Sequence, residues 1–114
     1  MSAPTIDRAT FEALKETTGA EFVLELVDTF LQEAPVMLED LRRALAAKDA
    51  DKFRRTAHSL KSNSNTFGAR TLGVLARDLE LGGFARADAT DAPLEKLAQE
   101  YSRVAAELSE LRNA

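Results

Sequence analysis

Apolar residues recur at three- and four-residue spacing along most of the chain, which predicts amphipathic helices. The longest stripe belongs to a predicted second helix and comprises Val23, Val27, Phe30, Ala34, Met37 and Leu41. Pro35 falls inside it, and a proline in a helix interior removes a hydrogen bond and costs about 3 kcal/mol. Because the stripe keeps its phase through Pro35, we favour one kinked helix over residues 19 to 47; two shorter helices are the alternative.

Capping signals place the other helix boundaries. Asp7 is a good N-cap for a short first helix that ends near Gly19, and Ile6 can pack onto Phe11 as a hydrophobic staple. Thr18 with Glu21 three residues later has the pattern of a capping box that opens the second helix.

The second half of the chain predicts three more helices. Asp49 caps a third helix over residues 50–67, and Gly68 is placed to end it in a left-handed conformation. A fourth helix is expected over residues 70–84, weakened at its end by Gly82 and Gly83, followed by a polar loop over 85–92. Pro93 fits the first turn of a fifth helix that runs to about Leu111.

Together these elements predict an all-α fold, an up-down four-helix bundle with an additional short N-terminal helix. At 114 residues a single domain over 1–114 is expected, with the bundle core over about residues 19–112. The larger core side chains are predicted to be Phe22, Phe30, Phe53 and Phe67.

Composition narrows the function. A net charge of −4 gives no basic face for nucleic acid, and no apolar run approaches the length of a membrane span. The chain has no cysteine, which excludes thiolate metal sites and disulfides, and no signal peptide is visible, so a cytoplasmic location is expected. Arg55 stands three residues before the only histidine, so the Glu-x-x-His pattern of a di-metal bundle is missing, and no metal site is expected.

That histidine, His58, lies on the polar face of the predicted third helix. A projection at about 100° per residue gathers the core positions on the opposite side, at Phe53, Ala57, Leu60, Ser64 and Phe67. Arg54, Lys61, Ser62 and Asn65 fall within about 60° of the histidine.

A solvent-facing imidazole beside cations is a plausible acceptor for a phosphoryl group. Neutral imidazole is nucleophilic, and Lys61 or Arg54 could reach the oxygens of a bound phosphoryl group. Ser62 is small enough for a partner to approach closely. The sequence indicates neither a second histidine nor a nearby acid that could act as a base. The run of poor helix formers over residues 62–66 conflicts with local propensity, which is typical of functional or tightly packed sites.

The stretch Ala-His-Ser-Leu-Lys-Ser over residues 57–62, with Gly68-Ala69 ten residues after the histidine, resembles the histidine phosphotransfer (HPt) domain. The preceding Phe30–Pro35 segment is similar to that family's second helix, and the likeness extends over residues 7–112. Ser62 is a departure, because the family most often has glycine there. The resemblance implies that His58 is the phosphoacceptor, that Lys61 assists the phosphate, and that Gly68 closes the helix. The helical projection adds Arg54, Ser62 and Asn65 as supporting residues.

The resemblance also implies the partners. The expected function is to shuttle a phosphoryl group between receiver-domain aspartates, or from a hybrid histidine kinase, in a two-component phosphorelay, as a monomeric carrier without independent catalytic activity. No cofactor is expected on this chain, and a divalent metal (Mg²⁺) is expected on the partner receiver. Apolar residues of the flanking helices are candidates for receiver docking: Ile6, Leu14, Leu31 and Val36. The alternative for each is a place in the core, because the helices of a small bundle need wide apolar stripes. The alternative is a helical adaptor that binds a receiver or kinase without being phosphorylated.

Overall fold

The structure, a computed structural model, describes residues 5–90 and 92–113, apart from the side chains of residues 86, 88 and 89. Within this part of the chain all regular structure is helical. The helices are α1 (Arg8–Thr18), α2 (Ala20–Ala46), α3 (Ala50–Thr66), α4 (Arg70–Asp78), α5 (Phe84–Ala89) and α6 (Ala92–Asn113). A kinked segment, Leu79–Gly83, joins α4 to α5, so these pieces together form one member of the bundle.

The bundle is a closed ring of four members. Helix α2 packs against α3 and α6, while α4 packs against α3 and α6 on the opposite side; α1 lies beside α2 and α3. The centre is filled by aliphatic side chains and by Phe30, Phe53 and Phe67, all buried. The predicted four-helix bundle with a short N-terminal helix is therefore confirmed, but Phe22 is half exposed and is not a core residue.

Helix α2 runs without a break through Pro35. Its apolar stripe is buried at every predicted position except Met37, which is half-buried. Pro35 is exposed, on the side away from the core. Burial of this long stripe stabilises one continuous helix despite the hydrogen bond that proline cannot donate. The two-helix alternative is wrong.

The predicted capping box at the start of α2 is also wrong. Gly19, not Thr18, precedes the helix, with φ 96° and ψ 150°. Thr18 is the last residue of α1, and its hydroxyl donates to the carbonyl of Leu14 at 2.8 Å. A threonine hydroxyl bonds readily to the carbonyl one turn earlier, which here removes it from a capping role.

Helix α3 has the predicted boundaries to within one residue. The Asp49 side chain accepts from the Lys52 N–H at 3.0 Å, which caps the helix, and Gly68 follows the helix end with φ 82°. The Gly68 carbonyl accepts the backbone N–H of Asp7 at 2.8 Å. The turn between α3 and α4 therefore also holds the start of α1.

The fourth helix differs from its prediction. The α-helix stops at Asp78, and the chain leaves helical geometry at Leu81 (φ −91°, ψ 43°) and Gly82 (φ 107°, ψ 7°). It then resumes as α5 over residues that were predicted to form a loop, so the loop over 85–89 is wrong; residue 91 lies outside the described residues. Gly82 tolerates a positive φ at low cost, which allows the sharp kink between α4 and α5.

Candidate functional site

His58 lies on the outer face of α3, as the helical projection predicts. Its side chain is 55% exposed. The core positions of the same helix, Phe53, Ala57, Leu60 and Ser64, are all fully buried. The Ser64 hydroxyl donates to the carbonyl of Leu60 at 2.6 Å, which satisfies a polar group in the core.

A carboxylate that the sequence analysis missed lies beside the histidine. Glu80 Oε2 lies 2.7 Å from His58 Nδ1, and Glu80 Oε1 accepts from Lys61 Nζ at 2.8 Å. The Glu80 side chain is only 14% exposed, because the kinked segment to which it belongs packs against α3. The expectation that no acid lies near His58 is therefore wrong.

Glu80 determines which ring nitrogen of His58 carries the proton. The hydrogen bond from Lys61, followed by that from His58, holds the pKa of the Glu80 carboxyl below its usual range, so the group is ionised near neutral pH. An ionised carboxylate only accepts hydrogen bonds, so His58 Nδ1 carries the proton. In the neutral ring the available lone pair is then on Nε2.

Close approach of α4 to α3 brings the carboxylate within reach. Gly73 of α4 is buried, and a Cβ atom added there would overlap the side-chain amide of Asn65 on α3. The helices run antiparallel, so the Asn65–Gly73 crossing and the His58–Glu80 contact lie two turns apart along the same seam. A glycine at the first point lets the second form.

The other supporting residues occupy different surroundings. Arg54 Nη2 donates to Asp51 Oδ1 at 2.8 Å, so its guanidinium is engaged at the start of α3 and not with the imidazole. Ser62 is exposed next to Lys61, and its small side chain leaves room for a partner to approach His58. Gly68 lies beyond the end of α3 and holds the turn onto α1.

The predicted docking residues fall into three classes of exposure. Ile6 is fully buried, so its prediction as a docking residue is wrong. It belongs to the core with Phe11, in agreement with the predicted hydrophobic staple. Leu14 and Leu31 are half-buried at the edge of the core. Val36 is the one exposed member of the predicted set.

Glu80 could have been found from a weak signal. It is a charged residue between Leu79 and Leu81 in the last turns of the fourth helix, near two glycines. On a helical projection it falls close to Gly73, the small residue that faces α3. The contacts of Glu80 depend on which helix lies opposite that edge, and the sequence does not reveal this.

The described residues contain no group of three or more His, Asp or Glu side chains arranged to hold a metal ion. No helix in residues 5–90 and 92–113 combines the length and the apolar character that crossing a bilayer requires. The site is thus a surface cluster of an imidazole, a carboxylate and an ammonium group.

Known proteins share this arrangement of helices. The Hpt domain family matches residues 25–114. The chain belongs to the Hpt domain family. The crystal structure of histidine-containing phosphotransfer protein B (HptB) from Pseudomonas aeruginosa is similar to this Hpt domain, with a TM-score of 0.87 and 31% identity over 98% of this chain and 97% of that chain.

A second similarity extends over about half of the chain. Over 62 residues, 54% of this chain, the Hpt domain is 34% identical to the sensor protein TorS of Escherichia coli, and the match spans 7% of the length of TorS. The family match and the likeness to HptB support histidine phosphotransfer in a two-component phosphorelay. Hpt domains are phosphocarriers that interact with receiver domains or histidine kinases.

Proposed function

We propose that His58 accepts a phosphoryl group on Nε2 from the phosphoaspartate of a receiver domain, or from a histidine kinase, and passes it to a second receiver aspartate. The observation that supports this is the 2.7 Å contact between Glu80 and Nδ1 of an exposed ring. Of the ring nitrogens, only Nε2 keeps a free lone pair in this arrangement.

Phosphoryl transfer to His58 needs no base on this chain. The Nε2 lone pair forms the new P–N bond while the bond from phosphorus to the aspartyl oxygen breaks, and its electron pair returns to the aspartate. The ring becomes a phosphorylated imidazolium that retains its Nδ1 proton. Glu80 faces that proton, so its negative charge stabilises the positive ring.

Lys61 is placed to serve the incoming group. Its ammonium has three donors, and one is used by Glu80. The remaining donors are free to turn towards the oxygens of a phosphoryl group on the neighbouring histidine, one helical turn away. Lys61 therefore orients Glu80 before transfer and neutralises charge after it.

The partner supplies the rest of the chemistry. A divalent cation, Mg²⁺, belongs in this proposal to the receiver, where it would screen the oxygens of the phosphoryl group; the chain contributes the histidine, the ammonium group and the carboxylate. A cytoplasmic location, a monomeric state and the lack of independent catalytic activity belong to the same proposal.

A transfer assay tests the proposal. Receiver domains charged with radiolabelled phosphate are incubated with the wild-type chain, with His58→Gln, and with Ser59→Ala as a matched surface change on α3. We expect acid-labile label on the wild type and on Ser59→Ala, and none on His58→Gln. Label that persists in His58→Gln would contradict the proposal. A wild type that binds a receiver without labelling would favour the adaptor.

A further inference from the structure

Two large apolar side chains are exposed along the outer edge of α4 and of the kinked segment that continues it: Val74 lies in α4 and Leu81 lies in the kinked segment. Leu81 is 65% exposed and Val74 is 54% exposed. With the exposed Arg77 between them, they follow three- and four-residue spacing, so they lie along one line of the helix surface. We call Val74, Arg77 and Leu81 the α4 edge. All three residues are exposed, so the edge faces away from the core.

The α4 edge runs alongside the proposed phosphoacceptor. Leu81 directly follows Glu80, whose carboxylate contacts His58. Val74 directly follows Gly73, which lies against Asn65 two turns further along α3. The edge therefore borders the exposed face of α3 over about 10 Å, from the level of Asn65 to that of His58.

The usual size of a protein interface implies that a partner bound at His58 also covers the α4 edge. A stable complex buries about 800 Å² on each partner, which corresponds to a disc of about 16 Å radius. A domain that brings an aspartate to Nε2 of His58 must centre its contact near that atom. Leu81 then falls inside the contact area, and exposed apolar side chains inside such an area are the usual anchors of binding.

We propose that the receiver domain docks across α3 and anchors on the α4 edge, through Leu81 and Val74. Arg77 and Lys61 then face the carboxylate-bearing side of the receiver, where positive charge assists the approach of an aspartate. This inference rests on the proposed function and adds a second anchor, on the side of His58 opposite the α2 residue Val36.

Binding measurements in a background that cannot transfer phosphate test the inference. The probe is the receiver domain that exchanges phosphate with the wild type in the assay above, titrated by calorimetry into His58→Gln. Leu81→Ser, Val74→Ser and their combination are compared with Phe22→Ser. Phe22 is a matched control because it is 50% exposed and lies 14 residues before Val36, about 21 Å along α2.

We expect Leu81→Ser or Val74→Ser to raise Kd about fivefold or more, the double variant about tenfold or more, and Phe22→Ser to change it less than about twofold. Equal affinity of the α4-edge variants and Phe22→Ser would overturn the inference while His58 labelling still stands. Sedimentation that shows a dimer of the wild type, lost in Leu81→Ser with receiver affinity unchanged, would also overturn it and assign the edge to self-association.

Discussion

The proposed nucleophile, His58, depends on one carboxylate for the position of its proton. A neutral imidazole can carry its proton on either nitrogen, and the hydrogen-bond partner of one nitrogen decides which. Glu80 reaches Nδ1 at 2.7 Å and is itself held by Lys61 at 2.8 Å. Loss of Glu80 would remove the hydrogen-bond acceptor that fixes the proton on His58 Nδ1 and the ammonium group of Lys61.

We therefore predict that Glu80→Ala lowers the rate of phosphotransfer to His58 by about tenfold or more, since a charge-assisted hydrogen bond that orients the nucleophile is lost. Imidazole ¹⁵N chemical shifts provide a second readout. They should report an Nδ1-protonated ring in the wild type and a proton redistributed towards Nε2 in Glu80→Ala.

Asp78→Ala is the matched control, because it removes an exposed carboxylate two residues away, at the end of α4. It should retain both the transfer rate and the ¹⁵N pattern. A wild-type ¹⁵N pattern in Glu80→Ala would refute the positioning role, even if the transfer rate fell.

At the residue scale, the exposure of His58 could be predicted from the sequence, but its contact with Glu80 could not. Exposure of His58 follows from the phase of α3, whose inward positions Phe53, Ala57 and Leu60 are local information. Glu80 is 22 residues away in sequence, and its contact with His58 exists only because α4 packs closely on α3. A helical projection describes one helix and contains no information about its neighbour.

At the scale of elements, the turn between α3 and α4 organises three helices around one glycine. Gly68 has φ 82°, and a Cβ atom there would lie 2.7 Å from the backbone oxygen of Asp7 and 3.1 Å from Cβ of Thr10. The Asp7 side chain in turn accepts from the Thr10 hydroxyl at 2.7 Å and pairs with Arg70 at 2.7 Å. The start of α1 leaves no room for a side chain at Gly68.

Gly68→Ala should lower the free energy of unfolding by about 2–4 kcal/mol, from the cost of a positive φ and from overlap with the α1 backbone. Gly82→Ala is the matched change, because Gly82 also has a positive φ of 107° but nothing within 4 Å of its added Cβ. It should cost only about 1–2 kcal/mol. Urea unfolding of both variants measures the difference. Equal losses would mean that α1 moves aside at no cost.

The elements that the sequence predicted best are those with long apolar stripes. Helix α2 is continuous because its stripe is buried along its length, which outweighs the local effect of Pro35. Helix α5 was predicted as a loop because Gly82 and Gly83 are typical of helix ends and the residues after them are small and polar. Burial of Ala87 and packing of α5 against α6 are tertiary effects that local propensity does not contain.

At the scale of the molecule, ion pairs between distant parts of the chain connect the helices. Arg112 near the end of α6 holds Asp28 of α2 through two bonds, one of them 2.9 Å long, and Arg8 of α1 reaches Glu107 of α6 at 3.0 Å. The hydrogen bond from Arg112 holds the pKa of the Asp28 carboxyl below its usual range. Glu80 shows a shift in the same direction.

These lowered pKa values fix the sign of the acid response. A carboxyl whose pKa is lower in the folded chain than in the unfolded chain stabilises the fold fully above its unfolded pKa, about 4, and loses that contribution as pH falls through its folded pKa. The unfolded chain binds more protons in this range. The free energy of unfolding should therefore fall steadily as the pH is lowered below about 4.5.

Asp28→Asn isolates one of these groups. Its difference in unfolding free energy from the wild type should be constant from pH 7 to about pH 5 and should shrink as the solution is acidified, because the wild-type carboxylate then becomes protonated and loses its pairing with Arg112. Arg112→Gln should flatten the acid slope in the same way, since it removes the partner that lowers the pKa of Asp28. Urea unfolding at one-unit pH steps in constant salt measures all three chains. A difference between wild type and Asp28→Asn that stays constant down to pH 2 would show that Asp28 gains nothing from its charge, and the α2–α6 contact would then owe its stability to packing alone.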